Sequence, residues 1–71
     1  MQKVAIKTPN LRLDQFLKWA NLAGSGGEAK QMIVQGTVYV NGEVERKRGK
    51  TLDIGDIVEF NGKKYQVTAE D

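Results

Sequence analysis

The hydrophobic period of this chain changes at Gly36, and that change limits the fold more than any other feature. Before it, Leu13, Phe16, Leu17 and Ala20 fall at i, i+3, i+4 and i+7. That spacing lays one apolar stripe along a helix over residues 11–21. Ala29, Met32 and Ile33 make a second, shorter stripe over residues 26–35. After Gly36 the period drops to two, with Val38 and Val40 alternating with Thr37 and Tyr39. Alternation of that kind belongs to a half-buried strand.

The punctuation agrees with this division. Residues 1–10 read as a strand or extended arm, with Val4 and Ile6 between Lys3, Ala5 and Lys7, stopped by Thr8-Pro9-Asn10. Asn10 is the expected N-cap of the first helix, and Gly24 lies where its C-terminal stop is expected. Ser25-Gly26-Gly27-Glu28 reads as a capping box. The Ser25 hydroxyl would accept from the Glu28 amide, and the Glu28 carboxylate would reach back to the Ser25 amide. Asn41-Gly42 and Asn61-Gly62 are two-residue hairpin turns, because both central positions of a type I′ turn need positive φ. Residues 43–46 are expected to return as a short strand. Arg46-Lys47-Arg48-Gly49-Lys50 is a basic loop, and Asp53 and Asp56 flank a turn. Tyr65 and Val67 sit on the last strand. The order is arm, helix, helix, then a small antiparallel sheet, an α+β domain.

Composition narrows the function. There is no cysteine and no histidine. Thiolate metal sites, disulfides and the commonest general base are therefore absent. No phosphate-loop motif is present. An enzyme is not expected, and neither is a cofactor. No apolar run approaches the ~20 residues of a membrane span, and the N-terminus lacks the apolar core of a signal peptide. The expected compartment is the cytoplasm, with no membrane partner and no small-molecule substrate. Net charge is +2, unevenly spread: residues 1–50 carry nine Lys and Arg against four Asp and Glu, whereas residues 51–71 sum to −3. Such asymmetry suits a polyanion approached from one side, although solvated surface charge gives the same count.

On helical geometry the outer face of the second helix carries Gly27, Lys30, Gln31 and Val34. That of the first carries Gln15, Lys18 and Leu22, with Arg12 and Trp19 on one flank. Cations and amides there would donate to phosphate and ribose oxygens. Gly26 and Gly27 leave the start of the second helix open to a phosphate. Asp14 is favourable charge in a first helical turn rather than half of a catalytic pair. Trp19 either covers the edge of the core or stacks on a base, whereas Tyr39 faces opposite to Val38 and Val40 and is expected to be exposed on the sheet, with stacking on a base as the alternative. Asn41 is chiefly a turn former whose amide is also available to RNA.

Residues 12–42, RLDQFLKWANLAGSGGEAKQMIVQGTVYVNG, resemble the S-four-type RNA-binding domain, the αL motif. The resemblance is carried by Arg12-Leu13-Asp14 with Leu17, by Ser25, and by Ala29-Lys30, Ile33, Gly36, Val38, Val40, Asn41 and Gly42. Downstream, Glu45-Arg46-Lys47-Arg48-Gly49-Lys50 and Leu52, Gly55, Asp56 and Val58 also fit the extended family. The turn from Gly24 to Lys30 is similar to stand-alone bacterial members of the YaaA and YbcJ type. The resemblance implies one domain over residues 1–71, with two packed N-terminal helices followed by a small antiparallel β-sheet. It also implies binding to structured RNA, ribosomal RNA before transfer RNA, in ribosome assembly or ribosome-associated control, by a monomer. The expected RNA-binding residues are Arg12, Gln15, Lys18, Ser25, Gly26, Gly27, Lys30, Gln31, Arg46, Lys47, Arg48 and Lys50.

The chain departs from the family pattern in two places. Many members carry Arg or Lys where Gly26 stands, and often another cation near Val34. The basic loop 46–50 is expected to compensate. Two other binding readings stand beside RNA: a protein-interaction adaptor using the same fold, and a DNA-binding module.

Overall fold

The computed structural model describes residues 1–8 and 10–70. Pro9, within the predicted stop of the N-terminal arm, and Asp71 lie outside the described residues. The N-terminal arm is strand β1 (Gln2–Ile6), followed by the short strand β2 (Leu11–Arg12). Helices α1 (Leu13–Trp19) and α2 (Gly26–Val34) come next. The rest is β3 (Val38–Val40), β4 (Glu43–Val44), β5 (Thr51–Leu52), β6 (Ile57–Phe60) and β7 (Lys63–Ala69). The chain is α+β, but its order corrects the expectation of helices followed by a sheet, because a strand comes first.

The sheet is also mixed rather than antiparallel. Five strands run in the order β1-β7-β6-β3-β4, and β2 pairs with β5 in a separate two-stranded unit. β1 pairs parallel to β7, with Val4 opposite Val67. A parallel pair needs a long crossover, and here the helices and the other strands supply it. The remaining pairs are antiparallel. Both Asn-Gly hairpins form, with Asn41 and Asn61 at φ 53° and 56° ahead of Gly42 and Gly62 at 86° and 78°. The apolar stripes close one core. Leu13, Phe16 and Leu17 of α1 and Ala29 and Ile33 of α2 are fully buried with Val38, Leu52, Val58 and Val67.

The helix ends differ from expectation at three points. Leu11 and Arg12 are held as a strand by Leu52 and Thr51, so α1 starts at Leu13 with Arg12, not Asn10, at its N-cap and no side-chain cap bond. Asn10 instead has φ 62°. The α1 stop is Asn21 rather than Gly24. Asn21 sits at φ 66°, its amide donates to the Lys18 carbonyl, and the Leu22 amide donates to the Leu17 carbonyl at 2.9 Å. That is the two-bond C-terminal motif that usually recruits glycine. Ser25 does cap α2, accepting from the Glu28 amide at 3.1 Å. The Glu28 carboxylate, however, accepts from the Gly24 amide rather than that of Ser25.

Candidate nucleic-acid interface

The basic loop is built into the start of α1. The first amides of a helix have no partner within it, and here the backbone of the loop supplies one. Leu13 donates to the Lys50 carbonyl at 2.7 Å, and Asp14 to the Arg48 carbonyl at 3.2 Å. A bond from the Lys50 amide to the Lys47 carbonyl tightens the loop itself. Arg12, Arg48 and Lys50 are thus held around one helix end by main-chain bonds, with their side chains exposed. Arg12 also pairs with Asp14 at 2.7 Å. A half-exposed pair of this kind contributes modestly to stability, but it fixes the guanidinium and offsets part of its charge.

Arg46 lies elsewhere. Its guanidinium donates to the Val34 carbonyl at 3.3 Å and rests on Gly36, whose missing Cβ would stand 2.6 Å from Nη1. Gly36, at φ +79°, ends α2. Arg46 therefore sits at the C-terminal end of α2, roughly a helix length of ~13 Å from Gly26. The last turn of α2 has no basic residue of its own. Arg46 places a cation there, where the helix dipole favours one.

The other expected site residues are all exposed: Gln15 and Lys18 on α1, Ser25 at the cap, Gly26, Gly27, Lys30 and Gln31 on α2, and Lys47 in the loop. A Cβ on Gly26 would meet nothing within 4 Å, so the start of α2 is open. Gln15 and Lys18 line one groove with Trp19. Leu22, expected on the outer face of α1, lies past its end and packs against the core.

Two residues with open readings are now placed. The Asn41 side chain is exposed but engaged by the protein itself, donating to Asp56 Oδ1 and accepting from the Ile57 amide. Asp56 also accepts from the Asp53 amide, in keeping with a turn role. Tyr39 is exposed, opposite Val44 and Glu59 on the neighbouring strands. Among the described residues there is no cluster of His, Cys, Asp or Glu able to hold a metal ion, and no helix is long and apolar enough to cross a membrane.

Comparison with known proteins agrees with this fold. The S4 domain family matches residues 4–68. The probable ribosome maturation protein RlbA of Bacillus subtilis (strain 168) is 42% identical over 59 residues, 83% of each chain. YbcJ of Escherichia coli (strain K12), whose name describes RNA binding, is 36% identical over 63 residues, 89% of this chain and 90% of that one. The solution structure of E. coli YbcJ, described as revealing an αL motif involved in RNA binding, superposes with a TM-score of 0.72 at 34% identity. That match covers 97% of this chain and 89% of YbcJ. The ribosomal protein S4e of Thermoplasma acidophilum matches with a TM-score of 0.58 at 26% identity, over 76% of this chain and 27% of that longer one.

Proposed function

This chain belongs to the S4 domain family, and from that premise we propose that it is a single RNA-binding module for structured RNA. Ribosomal RNA is the first target and transfer RNA the second. The setting is ribosome assembly or ribosome-associated control in the bacterial cytoplasm, and the working form is a monomer without cofactor or catalytic role. The ribosome-maturation name of one relative and the RNA-binding description of another support this reading. The observation that carries it is the pair of main-chain bonds from Leu13 and Asp14 to Lys50 and Arg48. They make the basic loop a fixed part of the helical surface, so that a phosphate backbone meets preset cations rather than a loop it must first order.

The site in this reading comprises Arg12, Gln15, Lys18, Lys30, Gln31, Lys47, Arg48 and Lys50, with Ser25, Gly26 and Gly27 offering the open start of α2. Arg46 supplies a cation beside the Val34 carbonyl, the position where relatives of the motif often carry one. At Gly26 an added Cβ would meet no atom within 4 Å, so that position stays open. Contact is mainly with phosphate and shape, since side chains do not reach the base edges in the deep groove of A-form RNA.

The test is binding to a ribosomal RNA fragment across a salt series. Affinity is expected to fall linearly on a log–log plot, with a slope of roughly −0.7 to −0.9 per phosphate neutralised. Lys30→Glu and Arg48→Glu are expected to keep the circular dichroism and thermal midpoint of the parent and to weaken binding. Salt-independent binding, or unchanged affinity in both folded variants, rejects the reading. The exposed Tyr39–Val44 pair on the sheet would then favour a protein-interaction adaptor.

A further inference from the structure

A groove runs between the end of β1 and the outer side of α1. Ile6 and Leu11 give it an apolar floor, Trp19 an aromatic wall, and Lys7 and Lys18 a cationic rim. Thr8 and Gln15 also line it, and among the described residues no acidic side chain enters it. Its volume is about 380 Å³, within the range of pockets that hold a small organic group. Trp19 remains 54% exposed, yet its indole N–H is already satisfied, donating to the Ala5 carbonyl at 2.7 Å. That bond fixes the ring without using its faces.

We infer that this groove receives one unpaired nucleobase of the RNA held by the two-helix surface. The inference rests on the RNA reading and extends the site to Lys7 and Thr8, which lie outside the motif. A base needs a flat aromatic surface to replace the stacking it loses on leaving a helix, and Trp19 offers one at little ordering cost. Its edge needs donors and acceptors, which the Gln15 amide and Thr8 hydroxyl provide. Its flanking phosphates need cations, which Lys7 and Lys18 provide on the rim. A free phosphate would leave the apolar floor and wall unused. An acidic peptide would leave the aromatic wall without a flat partner.

The experiment uses two families of RNA hairpins. Both move a one-nucleotide bulge along the stem, one with adenosine at the bulge and the other with an abasic residue that keeps the phosphate. Trp19 is the only tryptophan in the chain, so fluorescence excited selectively at tryptophan, beyond the tyrosine band, reports on this groove. At the preferred bulge position the base is expected to quench Trp19 and to bind about five- to a hundred-fold more tightly than its abasic counterpart. Trp19→Phe should retain most of that ratio, and Trp19→Ala should reduce it to one. Equal affinities for adenosine and abasic hairpins across all positions, with Trp19 emission unchanged, overturn the inference. If binding in that case still falls with salt and with Lys30→Glu, the RNA reading stands and the nucleobase groove alone is rejected. Because the abasic comparison is made on the parent protein, a poorly folding Trp19→Ala does not blunt the test.

Discussion

At Gly26 a relative of this chain often carries Arg or Lys, and here there is only a hydrogen. The space around it is free, so the missing cation is not forced by packing. Gly26→Arg is therefore expected to fold as the parent does. It is expected to raise affinity for structured RNA several-fold and to steepen the salt dependence by roughly one phosphate contact, as read from the slope of a binding isotherm series. Gly26 also shows how far single residues were legible. The exposure of Lys30, Gln31 and Lys18 followed from helical geometry, because a helix fixes which side chains face outward. The Arg12–Asp14 pair did not. Two residues apart, they meet only because Arg12 stays extended while Asp14 is already helical.

Each helix owes one of its ends to a distant part of the chain. The Ser25 cap was legible because its partner, Glu28, lies three residues on. The start of α1 was not, because its caps are the carbonyls of Arg48 and Lys50, which no local pattern reveals. The end of α2 combines both cases. Gly36 was visible as a stop, but the guanidinium of Arg46 lying on it was not. Gly36→Ala should cost about 1 to 2 kcal/mol, since L side chains disfavour its positive φ, and should also displace Arg46. Arg46→Ala should cost about 0.5 to 1 kcal/mol through the lost helix-end cation. Because the first change already dislodges the guanidinium, the double variant should lose less than the sum of the two. Denaturant midpoints of the four proteins check this, and strict additivity would mean that Arg46 does not act through the end of α2.

Across the whole molecule, the first strand and the last lie side by side. The alternation in residues 1–7 suggested a strand, but its parallel partner more than sixty residues away left no trace in sequence, since register of that kind is fixed only when the core closes. Ile6, 4% exposed, carries the consequence. Ile6→Ala is expected to cost about 2 to 4 kcal/mol in urea unfolding, a large share of the stability of a chain this size. A cost below 1 kcal/mol would show that β1 is an appendage. That strand is also the outer boundary of the sheet. A boundary strand offers unpaired backbone groups on which a strand from another molecule can build. The indole of Trp19 already occupies the Ala5 carbonyl of that strand, so the residue that shapes the groove also withdraws one acceptor from the edge on which a foreign strand would build.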